Sequence, residues 1–485
     1  MNQRVVSVSR TEPDGLPRIA DALAVAGPGA TIVLQPGVYR EELRLIGDVT
    51  LTAEDGPGTV TLRAPDGVAV FVGGGAVTLR GITIAGGSDT YPAIQVSGGE
   101  LTMVDCELRA DGLVGLHVRG SHVEVRNCVV ESRSGAGLLL EQGMTGTFRS
   151  STVRDCGGPG IVIATGADPQ LIDCVVTGGQ GPGVLSTRDG RGSLVDCDLS
   201  AVAGPAVAVE EGGMVHLRRT TIHDGDGPGI VATGGAPVFE DCLVRDVGGH
   251  GVVIAGDADP TLARCRIEGT GGHAVFALGN GTGRLVDCRF AESAVAVLAF
   301  TDTATSTLDK CVVEGAGDVA ALFDGTAGGT LVRCEVRGGR TGVLVRGGAD
   351  PLIEETLIAG CVEYGVQSID GARGTVRNCT VEDYGVAGVR VTGARLAVTD
   401  SRLRGGRHGL VVAAGGHATV DACEIGAASV AGVLVEPAGE LQLRRSRVRG
   451  GAAAGVRFAA GSRGTLSRSE VFDNGGDGVL LETAE

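Results

Sequence analysis

Residues Leu285–Phe290 have the sequence Leu-Val-Asp-Cys-Arg-Phe, and residues Val376–Val381 repeat the pattern as Val-Arg-Asn-Cys-Thr-Val. In both segments, apolar residues lie three positions before the cysteine and two positions after it. If these three positions point inward, each segment consists of two short strands that meet at a bend just before the cysteine. Such a segment decides the fold when it recurs at a fixed interval.

The cysteine belongs to a column of positions that recurs every 22 or 23 residues between residues 106 and 469. A glycine-rich turn and a third strand, such as Gly251–Ile254, follow each segment. Three short strands per coil, with turns rich in Gly, Asp and Pro, predict an all-β fold, a right-handed parallel β-helix (solenoid) of 22–23-residue coils. The column consists of Cys106, Cys128, Ser151, Cys174, Cys197, Thr220, Cys242, Cys265, Cys288, Cys311, Cys334, Thr356, Cys379, Ser401, Cys423, Ser446 and Ser469.

The first 80 residues differ from the repeats. Residues 18–26 have the pattern of a short amphipathic helix, and an apolar strand follows at residues 31–34. A capping helix at the end of a β-helix covers strand edges that would otherwise be unpaired. We therefore expect an N-terminal cap with the first coils in residues 1–80 and one continuous β-helix domain in residues 81–485. The last coil runs almost to Glu485 without a cap, so we expect a partner or a further domain to cover that end.

Composition excludes several classes of function. The net charge of −17 disfavours a nucleic-acid partner, because phosphate contacts need a basic surface. The thirteen cysteines are odd in number and eleven of them fall in the column, which favours reduced buried thiols over disulfides, and no Cys/His spacing indicates a metal site. Without nucleotide-binding motifs we expect no cofactor. The absence of a long apolar run or a secretory signal predicts a cytoplasmic protein with no membrane association.

One face of the predicted helix is uncharged. The outward position of the third strand is apolar in seven successive coils. Such a stripe cannot supply acid–base catalysis or bind calcium. We expect it to bind a protein partner, a second copy of the chain or a covering segment, unless the neighbouring turns shield it. The stripe consists of Leu139, Val162, Leu185, Ala208, Val231, Val253 and Phe276.

The best candidate for chemistry is a group of polar residues in the turns between residues 223 and 273. Two of its histidines occupy the same position in successive coils, eight residues after the column position, and should stack about one strand spacing apart. Two imidazoles with nearby carboxylates and an arginine could transfer protons on a sugar acid or hold an anion. An ordinary surface turn is the alternative interpretation. The group consists of His223, Asp224, Arg245, Asp246, His250 and His273.

Residues 18–40 resemble the opening segment of the pectate-lyase-like β-helix superfamily. The later coils, with turns such as Gly166–Pro169, resemble its carbohydrate-binding and sugar-hydrolase repeat branch. The chain is also similar to actinobacterial β-helix regions that can precede an AAA+ ATPase domain. The resemblance to the pectate-lyase-like superfamily covers nearly the whole chain and implies the fold. It does not imply one activity, because that superfamily includes lyases, hydrolases, epimerases, esterases and non-catalytic scaffolds.

Two functional hypotheses remain open from the sequence, and it does not decide whether the protein is an enzyme. The first is a cytoplasmic binding or scaffold module that presents an elongated surface to protein or polymer partners through the stripe or the uncapped C-terminal end. The second is a carbohydrate-active enzyme, a lyase, epimerase or glycoside hydrolase of an acidic polysaccharide, which would work through His250, His273 and their neighbours.

Overall fold

The computed structural model describes residues 5–9, 16–64, 67–315 and 317–482. They form an all-β parallel solenoid of about 20 turns of roughly 23 residues, which confirms the predicted fold class. The chain divides into two compact units, residues 1–243 (unit 1) and residues 244–485 (unit 2). Within each unit, the first and third strands of the coils pair in one parallel sheet and the second strands pair in another.

The predicted capping helix is present in unit 1 as Ile19–Val25, where Ile19 and Ala22 are buried. Its first turn is held by a buried carboxylate, because Glu41 accepts hydrogen bonds from the backbone N–H groups of Ile19 at 2.9 Å and Ala20 at 3.0 Å. No helix in the described part of the chain is long and apolar enough to cross a membrane.

Unit 1 begins with less regular coils, in which the strands Val70–Arg80 and Ile94–Val104 each combine a third and a first strand without a break. The other strands of these coils in the same sheet are Val5–Val8, Ala30–Leu34, Leu43–Leu45 and Val49–Ala53. The remaining first strands are His122–Arg126, Thr145–Arg149, Asp168–Ile172, Arg191–Val195, Met214–Arg218 and Val238–Glu240. The second strands are Gly37–Tyr39, Val60–Arg63, Ile82–Gly86, Glu107–Ala110, Val129–Ser132, Thr152–Cys156, Val175–Gly179, Asp198–Ser200 and Thr221–His223. The third strands are Val114–Arg119, Ala136–Glu141, Ile161–Ala164, Val184–Thr187, Val207–Val209 and Ile230–Ala232.

Unit 2 repeats the three-strand coil regularly. Its first strands are Thr261–Ala263, Thr282–Val286, Thr305–Asp309, Thr330–Val332, Leu352–Glu354, Thr375–Arg377, Arg395–Thr399, His417–Asp421, Glu440–Arg444 and Arg463–Ser467. The second strands are Leu243–Val247, Arg266–Thr270, Arg289–Ala291, Val312–Gly315, Glu335–Gly338, Leu357–Ala359, Thr380–Glu382, Arg402–Arg404, Glu424–Gly426, Arg447–Arg449 and Glu470–Phe472. The third strands are Val252–Ile254, Val275–Ala277, Leu298–Phe300, Val319–Phe323, Thr341–Val345, Tyr364–Ile369, Ala387–Thr392, His408–Val412, Ala431–Val435, Ala454–Phe458 and Val479–Leu481.

The bend between the first and second strands has a constant backbone conformation. The residue before the column position adopts a positive φ, for example 55° at Asp105, 53° at Asp287 and 51° at Asn378. Asp and Asn tolerate this left-handed conformation better than most residues. The residue before each column position, often Asp or Asn, therefore turns the chain through the corner of the coil.

The column residues point inward at this corner, as the sequence predicts. All thirteen cysteines are buried and none forms a disulfide. A column side chain also satisfies the backbone of the bend: the Ser401 hydroxyl accepts a hydrogen bond from the N–H of Cys379 at 3.1 Å and donates to the carbonyl of Thr399 at 2.7 Å. Small polarisable or hydroxyl side chains fit this position because they fill the corner and bind both groups.

The Ser401→Ala variant tests this role. We expect it to lower the free energy of unfolding by about 1–3 kcal/mol, because the buried N–H of Cys379 loses its acceptor. The Ser401→Cys variant restores the residue most frequent in the column and should lose less than about 1 kcal/mol. Chemical denaturation monitored by circular dichroism measures both values, and equal losses in the two variants would contradict the role.

Candidate functional site

His250 and His273 lie in the turns that precede two successive third strands of unit 2, Val252–Ile254 and Val275–Ala277. Their imidazole rings stack with centroids 5.3 Å apart and an angle of 6° between the ring planes. The shared position in the repeat therefore places the two rings together, as the sequence predicts.

Hydrogen bonds to the backbone fix the protons of both rings. Nδ1 of His250 accepts a hydrogen bond from the backbone N–H of His273 at 2.9 Å, so in the neutral ring the proton lies on Nε2. Nδ1 of His273 lies 2.6 Å from the carbonyl oxygen of Ala296, to which only an N–H can donate. The neutral pair therefore presents an N–H donor at Nε2 of His250 and a lone pair at Nε2 of His273.

An aromatic side chain and a glycine complete the setting of the pair. The Phe276 ring centroid lies 4.9 Å from that of His250 and 5.2 Å from that of His273. Phe276 points outward from its strand and is half-buried. A Cβ atom at Gly272 would collide with the His250 ring, so glycine is needed there for the imidazole to occupy its place.

The protonation of His250 is set mainly by burial. Burial lowers the pKa of His250 below its ordinary value, and the neighbouring charge of His273 lowers this pKa further. His250 is therefore neutral at pH 7 and keeps its Nε2–H as a hydrogen-bond donor.

The other predicted residues make different contacts. Arg245 and Asp246 form an ion pair at 2.6 Å in unit 2. His223 and Asp224 belong to unit 1, where Nδ1 of His223 lies 2.7 Å from Asp224 and its Nε2 lies 3.0 Å from Asp198. Burial alone would lower the pKa of His223, but the two carboxylates outweigh it and raise that pKa. The two carboxylates thus favour the protonated form of His223, whereas burial favours the neutral form of His250.

The apolar stripe has the predicted phase but is only partly accessible. In unit 1, Ala208 is 3% exposed, and the other members are half-buried. In unit 2, the same outward position carries Val253 and Phe276, and in later coils it becomes polar at Gln367 and Arg390. The half-buried stripe members of unit 1 are Leu139, Val162, Leu185 and Val231.

A groove that the sequence did not predict lies on the second-strand sheet of unit 1 and has a volume of about 520 Å³. Its outward side chains alternate in charge, since Arg109 lies in register with Glu131, which in turn pairs with Arg154. The charged residues of the second strands are visible in the sequence and could have indicated this groove. Only the register shows that small residues such as Ala85 lie beside the charged ones and leave space between the long side chains. The charged residues that line the groove are Arg63, Arg109, Asp111, Glu131, Arg133 and Asp155.

A metal centre has no support in the described ranges. No group of three or more His, Cys, Asp or Glu side chains there could hold a metal ion.

The sequence matches one protein family, described as the right handed beta helix region. The matches cover residues 59–198, 182–333, 319–397 and 387–485, and so most of the chain. No curated protein matches the sequence significantly.

Several solved structures are similar to the chain. Pectate lyase Pel9A is 15% identical with a TM-score of 0.42, and the match covers 53% of this chain and 79% of that one. The A-module of mannuronan C-5 epimerase AlgE6 from Azotobacter vinelandii is 15% identical with a TM-score of 0.39, covering 75% and 88%. The PL6 family alginate lyase AlyGC is 9% identical with a TM-score of 0.36, covering 98% and 100%. Similarity at this level transfers no activity to this chain.

The two kinds of histidine should titrate on opposite sides of the ordinary value of 6.5. The neutral form of His250 is favoured in the folded state, so its contribution to stability is present above pH 6.5 and is lost as the pH falls through its lowered pKa. The contribution of His223 is present below pH 6.5 and is lost as the pH rises through its raised pKa. NMR titration of labelled imidazoles measures both midpoints, and a His250 midpoint above that of His223 would contradict the assignment.

Proposed function

The chain belongs to the family of right-handed beta helix regions, and on this fold we propose that it is a carbohydrate-active enzyme that removes a proton from a uronic-acid unit of an acidic polysaccharide. His273 is the proposed general base, and His250 is the proposed hydrogen-bond donor. The proposal keeps the proton-transfer hypothesis of the sequence and gives each imidazole a separate role. Structures of lyases and an epimerase among the similar proteins are compatible with it.

The observation that carries the proposal is the complementary protonation of the two stacked rings. The carbonyl of Ala296 holds the proton of His273 on Nδ1, which leaves its Nε2 as a base. The backbone of residue 273 occupies Nδ1 of His250, which leaves its Nε2–H as a donor. Two adjacent groups with opposite hydrogen-bonding roles suit a reaction in which negative charge develops as a proton leaves.

The proposed step is an elimination. Nε2 of His273 takes the proton from the carbon next to the carboxylate of the uronic acid, and negative charge develops on the carboxylate oxygens. Nε2–H of neutral His250 donates a hydrogen bond to one of these oxygens, the role for which a neutral imidazole is better suited than full proton donation. The electron pair forms a carbon–carbon double bond, the glycosidic carbon–oxygen bond breaks, and His273 returns its proton to the leaving oxygen.

Phe276 gives the site an apolar side. Its half-buried ring borders both imidazoles. It can contact the C–H face of a sugar ring while the polar groups of the sugar contact the imidazoles. The same ring excludes water from one side of the pair and thereby supports the low pKa of His250.

The stripe in unit 1 favours a second candidate function, binding of a polymer or a protein without turnover. Its half-buried apolar side chains form a continuous row in register, as at Leu139, Val162 and Leu185. A binding module needs no base, so its affinity would not depend on the imidazole pair.

Assays of polygalacturonate and alginate for unsaturated uronate ends test the enzymatic proposal. The wild-type protein should produce such ends from one of them, and His273→Ala should lower kcat/KM by roughly 100-fold or more because the base is lost. His250→Ala should lower kcat more than it raises KM. As the pH falls through the lowered pKa of His250, its protonated Nδ1 can no longer accept the hydrogen bond from the backbone of residue 273, which should disturb the pair and lower kcat.

The matched control is His216→Ala, which removes an exposed histidine of unit 1 paired with Glu240 at 3.4 Å. This variant should retain full activity. Saccharide binding without any product in the wild type would favour the binding module, and equal turnover in His273→Ala would refute the role of the pair.

A further inference from the structure

Three successive coils of unit 2 form a small basic pocket in the turns between their third and first strands. The pocket has a volume of about 240 Å³. Its polar side chains are Arg373, Arg395 and His417. All three residues are exposed, and they lie outside the turns that carry the imidazole pair.

The two arginines occupy neighbouring registered positions. The N–H of Arg395 donates to the carbonyl of Ala372 at 2.8 Å, and the N–H of Ala397 donates to that of Gly374 at 3.1 Å. These bonds place Arg395 beside Arg373 on the next coil, one strand spacing away. Like charges directly opposite each other in a sheet are destabilising.

Other arginines of unit 2 lie in register with carboxylates instead. Arg377 lies in register with Glu354 and bonds to it at 2.7 Å. Arg463, which has the same position in its coil as Arg373 and Arg395, lies in register with Glu440. The described residues that line the basic pocket include no carboxylate, so the charges of Arg373 and Arg395 are not compensated there.

His417 closes one end of the pocket and is itself held in place. Its Nδ1 lies 3.2 Å from the carbonyl oxygen of Gly415, and its Nε2 lies 3.3 Å from a carboxylate oxygen of Glu440. These contacts fix the ring at the edge of the pocket. The guanidinium groups of Arg373 and Arg395 are therefore the available donors.

Glycines keep the floor of the pocket open. Gly371, Gly393 and Gly415 line the pocket with backbone φ values of 77°, 57° and 69°. Residues other than glycine rarely adopt these values. A Cβ atom at Gly371 or Gly393 would meet no atom within 4 Å, so there is free space above these turns. A ligand can approach the backbone there without displacing a side chain.

We propose that this pocket binds a doubly charged oxyanion, a phosphate or sulfate group, between Arg373 and Arg395. The planar fork of each guanidinium matches two oxygens of a tetrahedral oxyanion, and the ligand charge relieves the repulsion between the arginines. The group can be a free anion or a substituent of a larger molecule. This site is independent of the proposed proton transfer by His250 and His273.

Titration calorimetry with inorganic phosphate at constant ionic strength tests the site. We expect Arg373→Ala and Arg395→Ala each to weaken phosphate binding roughly tenfold, since each removes charge-assisted hydrogen bonds. Arg463→Ala is the matched control and should leave the affinity unchanged. The absence of phosphate binding to the wild type at millimolar concentration, or equal affinity of the Arg373→Ala/Arg395→Ala double variant, would overturn the proposal.

Two further measurements complete the test. One identifies the source of the anion, and the other distinguishes anion binding from a purely structural role of the two arginines. If dextran sulfate displaces phosphate and unsubstituted dextran does not, the site binds an anionic group carried on a polymer. If dextran sulfate does not displace phosphate, the site binds the free anion. Without phosphate, Arg395→Gln should be at least as stable as the wild type, because it removes the repulsion between the two arginines. A lower denaturation midpoint of this variant without phosphate would contradict the proposal.

Discussion

The hydrogen-bonded corner between the first and second strands is the constraint on which the rest of the fold depends. At each corner of the column a residue with a left-handed φ, often Asp or Asn, turns the chain, and a thiol or hydroxyl fills the space and bonds to the backbone of the bend. Because side chains alternate along a strand, fixing one inward position fixes every other position of that strand. The column therefore determines which side chains of the strands meet solvent, including those of the apolar stripe.

The same register that stacks the cysteines also creates the imidazole pair. A residue type repeated at one position of successive coils is brought to within one strand spacing of its copy, so His250 and His273 become stacked rings. Each Nδ1 atom then meets the backbone of the residue 23 positions further along the chain, the N–H of His273 in one case and the carbonyl of Ala296 in the other. Two identical side chains thereby acquire opposite hydrogen-bonding roles. The repeat generates a basic pocket by the same rule where arginines recur.

Periodicity was sufficient to predict the fold, the capping helix and the stacking of the histidines, since each depends on spacing alone. The proton positions of His250 and His273 could not be predicted, because they depend on which backbone groups face the rings in the turn. The partial burial of the stripe could not be predicted from spacing either, since Ala208 is buried and Val231 is half-buried at the same position of successive coils. Arg373 and Arg395 share one position of the repeat, but their pocket was missed because the free space above their glycine turns is visible only in the structure.

The claim that the column faces the interior is tested most directly by alkylating the thiols and locating the products by mass spectrometry. Burial raises the pKa of the Cys379 and Cys423 thiols to about 11, so these groups lack both access and thiolate character in the folded protein. The account predicts that none of the thirteen cysteines reacts with iodoacetamide in the native state and that all thirteen react after denaturation without a reductant. Rapid native modification of column cysteines, or the recovery of disulfide-linked peptides, would contradict it.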